Sequence, residues 1–280
     1  MKATTRLRQM MADEQIHVAP GAFDGMSARL VEQAGFGLVY ASGGAISRSC
    51  GYPDIGLLSV SEVQQRLEQM AEVCTLPMIA DADTGFGNAA NARRTIRTYE
   101  RIGMAALHIE DQSFPKRCGH LDDKTLITCA EMVHKIKAVK DAQSDPDFVV
   151  IARTDAIASE CFQAAIDRSH AYLEAGADVI FVEAPETIEQ IEEIGRLIPQ
   201  PKLINMFYSG KTPLVPKARL QELGYKFIII PSDLQRASIT AVQRVLEAIA
   251  RDGDSASMKD HMVAFREREE IVRTSQYLAY

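Results

Sequence analysis

The chain has 280 residues, 46% of them hydrophobic and 25% charged, with a formal net charge of -7. An acidic chain without a clustered basic stripe has little grip on nucleic acid, where Lys and Arg supply most of the affinity, and no apolar stretch here reaches the length of a membrane span. Five cysteines, Cys50, Cys74, Cys118, Cys129 and Cys161, form an odd set with no CxxC pair, which argues against a disulfide framework or a zinc ribbon and fits a reduced, cytoplasmic protein.

Residues 1–14 are polar and mixed in charge. Beyond them one pattern recurs: a short run rich in Val, Ile, Leu and Ala ends in a polar residue, and an amphipathic helical stretch follows. The runs fall at 16–19, 38–41, 77–80, 105–109, 148–152, 179–182, 202–204 and 227–230. Helical stretches are predicted at 26–33, 60–73, 89–102, 129–141, 161–174, 188–197 and 216–223, several ending in a glycine-bearing turn such as Ala34-Gly35 or Ala175-Gly176. Apolar strands alternating with helices imply a parallel sheet covered on its outer face, and eight units suffice to close a (β/α)8 TIM barrel. An open doubly wound sheet is the alternative, but neither a GxGxxG nor a P-loop supports it. Two further helices, 239–250 and 261–277, are surplus to the barrel, so the chain divides into a barrel over 1–238 and a C-terminal helical segment over 239–280. The apolar positions of that segment must pack on the barrel or on a neighbouring subunit.

In such a barrel the chemistry lies at the C-terminal ends of the strands. Those ends read Ser42-Gly43-Gly44, Asp81-Ala82-Asp83, Glu110-Asp111, Arg153-Thr154-Asp155, Glu183 and Asn205, with Asp24 and Asp233 nearby. One acidic strand end is ordinary, since Asp commonly caps the next helix. Asp81, Asp83, Glu110 and Glu183 together are not. A two-residue spacing sends Asp81 and Asp83 to the same side of an extended segment, and the fourth run brings Glu110 beside them. Converging carboxylates repel unless a cation or protons neutralise them, and an all-oxygen set favours Mg2+ or Mn2+ over zinc. A metal would also give this acidic chain a local positive site for an anionic substrate.

After the fourth run comes Lys116-Arg117-Cys118-Gly119-His120. Two cations and a histidine beside one cysteine would lower the thiol pKa and suit it to acid-base work, and the glycine would let the loop bend over the site. The other four cysteines have no such neighbours. His108, inside the fourth run, reads as a core histidine or a group behind the site. Arg153 at a strand end suits a clamp on a substrate carboxylate.

These residues carry a family resemblance. Tyr40-Ala41-Ser42-Gly43-Gly44, Asp81 to Asn88, His108-Ile109-Glu110-Asp111-Gln112, Lys116 to His120, Ala152-Arg153-Thr154-Asp155 and Asn205-Met206 resemble, in the same order and over nearly the whole chain, the isocitrate lyase and phosphoenolpyruvate mutase superfamily. The KRCGH loop resembles its carbon-carbon bond branch, which includes 2-methylisocitrate lyase, 2,3-dimethylmalate lyase and oxaloacetate hydrolases. The resemblance implies that Asp81, Asp83 and Glu110, assisted by Asp54, hold Mg2+ directly or through water. It implies that Ser42, Gly43, Gly44, Arg153, Glu183 and Asn205 bind a small carboxylate substrate, and that Cys118 is the acid or base on a gating loop, with Tyr40, Lys116, Arg117 and His120 in the catalytic group. It also implies a homotetramer that exchanges a C-terminal helix.

The expected activity is cleavage of a small 2-hydroxy di- or tricarboxylate into a 2-oxo acid such as pyruvate and a second acid. Where the 2-methylisocitrate lyases carry a hydroxyl residue after the pocket asparagine, this chain has Phe207, which tilts the pocket toward a dicarboxylate. The alternatives are hydrolysis of oxaloacetate to oxalate and acetate, phosphonate chemistry, against which Cys118 argues, and a barrel that binds without turnover.

Overall fold

A computed structural model describes residues 1–119 and 123–279. Eight strands, β1 (His17–Ala22), β2 (Val39–Ala41), β3 (Met78–Asp81), β4 (Ala106–Glu110), β5 (Val149–Thr154), β6 (Val179–Val182), β7 (Lys202–Asn205) and β8 (Tyr225–Ile230), pair in parallel in sequence order. β1 pairs with β8, His17 opposite Phe227, and this closes the barrel. The TIM barrel is therefore the observed fold.

Each strand is buried on both faces, which is why the runs read as continuous rather than alternating. One face fills the barrel: Tyr40, Ile79, Val149, Ile151, Phe181, Leu203 and Phe227 belong to a single interior cluster. The other face meets the helices, where Leu67, Met70, Ile96, Ile136, Ile166 and Ile191 line the inner side of the outer layer. Capping boxes at Asp24, Ser59, Asn88 and Thr128 start four of these helices by satisfying otherwise unpaired N–H groups. Gly103 and Gly176, at φ of 90° and 106°, reverse the chain into β4 and β6.

The strands run further than the apolar runs. Asp81, Glu110, Arg153, Thr154 and Asn205 are ladder residues, and Glu110 stands in register with Arg153. Parallel pairing continues through side chains that periodicity reads as loop, because the ladder bonds come from the backbone. This carries the polar groups into the barrel mouth on rigid elements.

Two segments depart from expectation. Ala3–Ala12, within the stretch read as polar and mixed in charge, is a helix that sets Leu7 against the bottom of the barrel, where its burial contributes about 2 kcal/mol. At the other end, Asp233–Asp252 is one continuous helix following β8, so the boundary at 238/239 falls inside the eighth helix of the barrel. The segment 261–277 is not one helix: a 3-10 turn Ala256–His261 is followed by Phe265–Ile271 and Thr274–Tyr277, separated where Arg273 turns left-handed at φ 58°. Only Gln235 and Ala248 are buried along Asp233–Asp252, whereas Ile239, Val242 and Leu246 are 50%, 57% and 58% exposed, so its apolar stripe has no cover within this chain's described residues. No helix of the described residues is long and apolar enough to cross a membrane.

Candidate active site

The ends of β2 to β8 converge on a small cavity of about 60 Å3 lined by Tyr40, Ser42, Asp54, Asp81, Lys116, Cys118, Arg153, Glu183, Asn205 and Phe207, with Arg48 at its edge. Of the residues expected there, Tyr40, Ser42, Gly44, Asp54, Asp81, Lys116, Cys118, Arg153, Glu183 and Asn205 line this cavity, Gly43 and Arg117 do not, and Asp83 and Glu110 lie behind it, joined to it through Lys116 and Arg153. His120 lies outside the described residues.

Asp81 is bound by the protein on both oxygens. Its Oδ1 accepts the Asp83 N–H at 2.9 Å and lies 3.4 Å from His108 Nε2; its Oδ2 accepts from Tyr40 OH and from the Gly43 N–H, both at 3.2 Å. The two aspartates meet through a turn, with Asp83 left-handed at φ 45°, rather than through strand alternation. The Gly43 N–H, expected to meet a substrate carboxylate, is taken by Asp81, and Ser42 Oγ accepts the Ala45 N–H as an N-cap at 3.3 Å. Glycine is required in this motif for clearance: a Cβ at Gly43 would lie 2.6 Å from Asp81 Oδ2, and one at Gly44 would lie 2.7 Å from Asp54 Oδ2.

Burial works to raise the Asp81 carboxyl, but His108, Lys116, the Asp83 N–H and Arg153 outweigh it and hold the group below its ordinary range. His108, fully buried, is pushed toward the neutral ring by desolvation, and its Nε2 lies 2.8 Å from Tyr40 OH. It therefore stands behind Asp81 and Tyr40.

Lys116 turns away from the thiol. Its ammonium donates to Asp54 Oδ1 and lies 2.9 Å from Asp83 Oδ1. Burial would lower its pKa, yet Asp83, Asp54, Glu110 and Asp81 raise it well above the usual lysine value, so it is charged. Arg117 is directed outward, 3.6 Å from Asp123 at the surface. A cation that does stand beside Cys118 is Arg48, whose Nη2 lies 3.9 Å from Sγ. The sequence pattern pointed to neighbours in the chain, whereas the fold supplies one from the helix Gly43–Ser49.

Arg153 is buried and gripped in parallel by Asp155, Nε to Oδ2 at 2.8 Å and Nη2 to Oδ1 at 3.0 Å, with Glu110 Oε2 3.2 Å and Glu183 Oε1 3.9 Å away. Asp155 also accepts from Lys124, and its backbone N–H is fixed by Asp111, which Thr154, Tyr172 and Arg168 hold in turn. No motif marked Lys124 or Arg168 beforehand.

A divalent cation was expected on Asp81, Asp83 and Glu110, with Asp54. Among the described residues no three His, Cys, Asp or Glu groups gather closely enough to enclose a cation by themselves, because Asp81 is engaged by N–H and O–H donors and Lys116 stands between Asp54 and Asp83. The donor chemistry nevertheless fits a hard cation that keeps most of its waters. Desolvation lifts Asp83 to about 6 and Glu110 well above the carboxylate range, so a cation beside them would offset the cost of burying their charge, and Glu110 Oε1 is buried without a hydrogen-bond partner among the described residues. Asp83 and Glu110 are the oxygens best placed to serve one, Glu110 N–H to Asp83 O at 2.9 Å tying the two together.

A TIM barrel with buried carboxylates, a buried arginine and a thiol-bearing loop at its mouth defines a barrel enzyme site for small anionic acids. The family model described as phosphoenolpyruvate phosphomutase matches residues 7–250. The chain is 40% identical to 2,3-dimethylmalate lyase of Eubacterium barkeri over 273 residues, 97% of this chain and 94% of that one. It is 40% identical to 2-methylisocitrate lyase of Bacillus subtilis (strain 168) over 275 residues, 98% and 90% of the two chains. A crystal structure of phosphonopyruvate hydrolase in complex with oxalate and Mg++ superposes with a TM-score of 0.91 at 33% identity, covering 100% of this chain and 98% of that one. The chain belongs to the phosphoenolpyruvate mutase and isocitrate lyase superfamily.

Proposed function

We propose that the chain is a magnesium-dependent carbon-carbon lyase that cleaves a small 2-hydroxy di- or tricarboxylate, of the 2,3-dimethylmalate or 2-methylisocitrate type, into a 2-oxo acid such as pyruvate and a second acid. The observation that carries this reading is Cys118 on a loop closed over a pocket walled by Arg153, Glu183 and Asn205, in a chain 40% identical to two lyases of that type.

In the cleavage the substrate hydroxyl loses its proton to a pocket base and becomes the carbonyl of the 2-oxo acid. The C2–C3 bond breaks, and its electron pair passes to the second fragment. Cys118 then gives its thiol proton to that carbon. A bound Mg2+ or Mn2+, held by Asp83 and Glu110 with Asp81 and Asp54 behind water, would stabilise the oxygen that gains charge. Lys116 holds Asp54 and Asp83 in place through its two ion pairs. Arg153 and Asn205 orient a carboxylate of the substrate, and Tyr40, anchored by His108 and Asp81, presents a hydroxyl whose pKa burial pushes up, so that it donates rather than ionises. The closed loop excludes water from the carbanion.

A second reading, hydrolysis of oxaloacetate to oxalate and acetate, is favoured by Phe207, an apolar side chain on the pocket wall. Incubation of the purified protein with Mg2+ and each candidate acid, followed by product identification by NMR, separates the two: pyruvate supports the lyase, and oxalate from oxaloacetate overturns it. The exposed stripe of Ile239, Val242 and Leu246 supports a homotetramer exchanging C-terminal helices, and five free cysteines support a cytoplasmic setting.

A further inference from the structure

We infer that Arg48 binds substrate, gripping the carboxylate of the second acid beside Cys118. The inference rests on the cleavage proposed above and names a residue the sequence motifs did not mark.

Arg48 lies in the last turn of the helix Gly43–Ser49, whose first turn forms part of the pocket wall. Helical side chains lean back toward the N-terminus, so Arg48 reaches over Gly44 one turn earlier, where a Cβ would come within 3.1 Å of its Nη1. Gln235 pins this helix by donating to the Ala45 carbonyl at 2.8 Å. Three cations line the cavity, and two already pair closely with carboxylates of the protein. Arg153 is held on two nitrogens by Asp155, and Lys116 by Asp54 and Asp83. The Arg48 guanidinium has two long contacts, Cys118 Sγ and Asp54 Oδ2, each at 3.9 Å, and makes no hydrogen bond to an oxygen among the described residues. Its side chain is 40% exposed at the pocket edge, with its donor fork open.

The chemistry requires a cation at this place. Cys118 protonates the carbon that carries the second carboxylate, so that carboxylate lies one bond from the proton's destination and within a few ångströms of Sγ. The electron pair released by C2–C3 cleavage spreads onto the same carboxylate, raising its negative charge as the bond breaks. A guanidinium 3.9 Å from Sγ meets that charge with a planar fork matched to two oxygens, and holds it more tightly in the transition state than in the ground state.

Calorimetry with the Mg2+-loaded full chain tests this, with oxalate as mimic of the 2-oxo acid and succinate as mimic of the second acid. Arg48→Gln is expected to weaken succinate binding about 10- to 100-fold and leave oxalate within about twofold, with Arg48→Lys in between, and kcat/KM for the accepted diacid to fall in parallel with succinate affinity. Thermal unfolding of both variants checks that the fold persists. Unchanged succinate binding in Arg48→Gln, or an equal loss of oxalate binding, overturns the assignment. Should the wild type turn over none of the acids, the proposed reaction fails, while the succinate-to-oxalate comparison still decides whether Arg48 holds a carboxylate.

Discussion

The Lys124 ammonium lies 2.8 Å from the Asp155 carboxylate, both side chains buried, and the same nitrogen donates to the Gly119 carbonyl. One carboxylate therefore orients Arg153 and clasps the thiol-bearing loop to the end of β5. Burial opposes the charge on Asp155, but Arg153 and Lys124 hold its carboxyl well below the usual range. Lys124→Met should release the loop while Arg153 keeps Asp155 paired. The loss of stability is then about 2 kcal/mol, less than for a fully orphaned buried charge. Limited proteolysis is expected to cut faster between Ser113 and Thr128, and kcat to drop at least about tenfold. Unaltered cleavage and unaltered kcat together would remove the clasp from the mechanism.

Gly119 packs against the base of the pocket so closely that an added Cβ would fall inside van der Waals contact of Glu183 Oε1 and Arg153 Nη2. Both atoms belong to rigid, buried groups and cannot yield cheaply. Gly119→Ala should hold the loop off the site, lowering kcat by roughly two orders of magnitude, since a misplacement of about 1 Å can cost that much. The melting temperature should barely move, because the loop contributes little to the core. A variant with normal kcat would show that the closed loop position is not the working one.

Cys118→Ser retains size and a hydroxyl but lacks an acidic thiol. If the thiol is the proton donor, kcat should fall on the order of 10²-fold or more, with oxalate binding unchanged. Solvent deuterium incorporated into the second acid, read by NMR, should disappear in step with kcat. Retention of near-normal turnover favours phosphonate chemistry, in which the cysteine has no part.

Much of this architecture could be read from the sequence because strands buried on both faces must be apolar throughout, and eight such runs have one economical closure. The groups at the strand ends were readable for the same reason: once the barrel is granted, Asp81, Glu110, Arg153, Glu183 and Asn205 share one mouth. What escaped was set by tertiary packing. Lys116 neighbours Cys118 in the chain but reaches the acids, while Arg48, 70 residues away, reaches the thiol. Asp83 meets Asp81 through a left-handed turn that no strand periodicity encodes. The helix Ala3–Ala12 packs Ala3, Leu7, Met10 and Met11 on the barrel bottom, a short stripe that the charged residues between them obscure in the sequence.

At the opposite end of the barrel, Lys202 opens β7 with its side chain buried and its ammonium donating to the carbonyls of Ile198 at 2.7 Å and Gln200 at 3.3 Å. Burial, with no carboxylate partner among the described residues, pulls its pKa down to about 8. The sign of the consequence follows from linkage. Between about pH 8 and the unfolded lysine value near 10.4 the unfolded chain binds more protons than the folded one, so stability rises with pH across that window. Below it both states are protonated, and the burial cost is present in full, about 3 kcal/mol. Lys202→Met keeps the stem and removes the charge, at the cost of one donor to two carbonyls. Thermal unfolding should show the variant more stable than the wild type by about 1 to 2 kcal/mol at pH 7, with the gap narrowing toward pH 10, and turnover unchanged because the site lies at the other mouth. A variant less stable at pH 7 would mean that the two carbonyl contacts outweigh the desolvation of the ammonium.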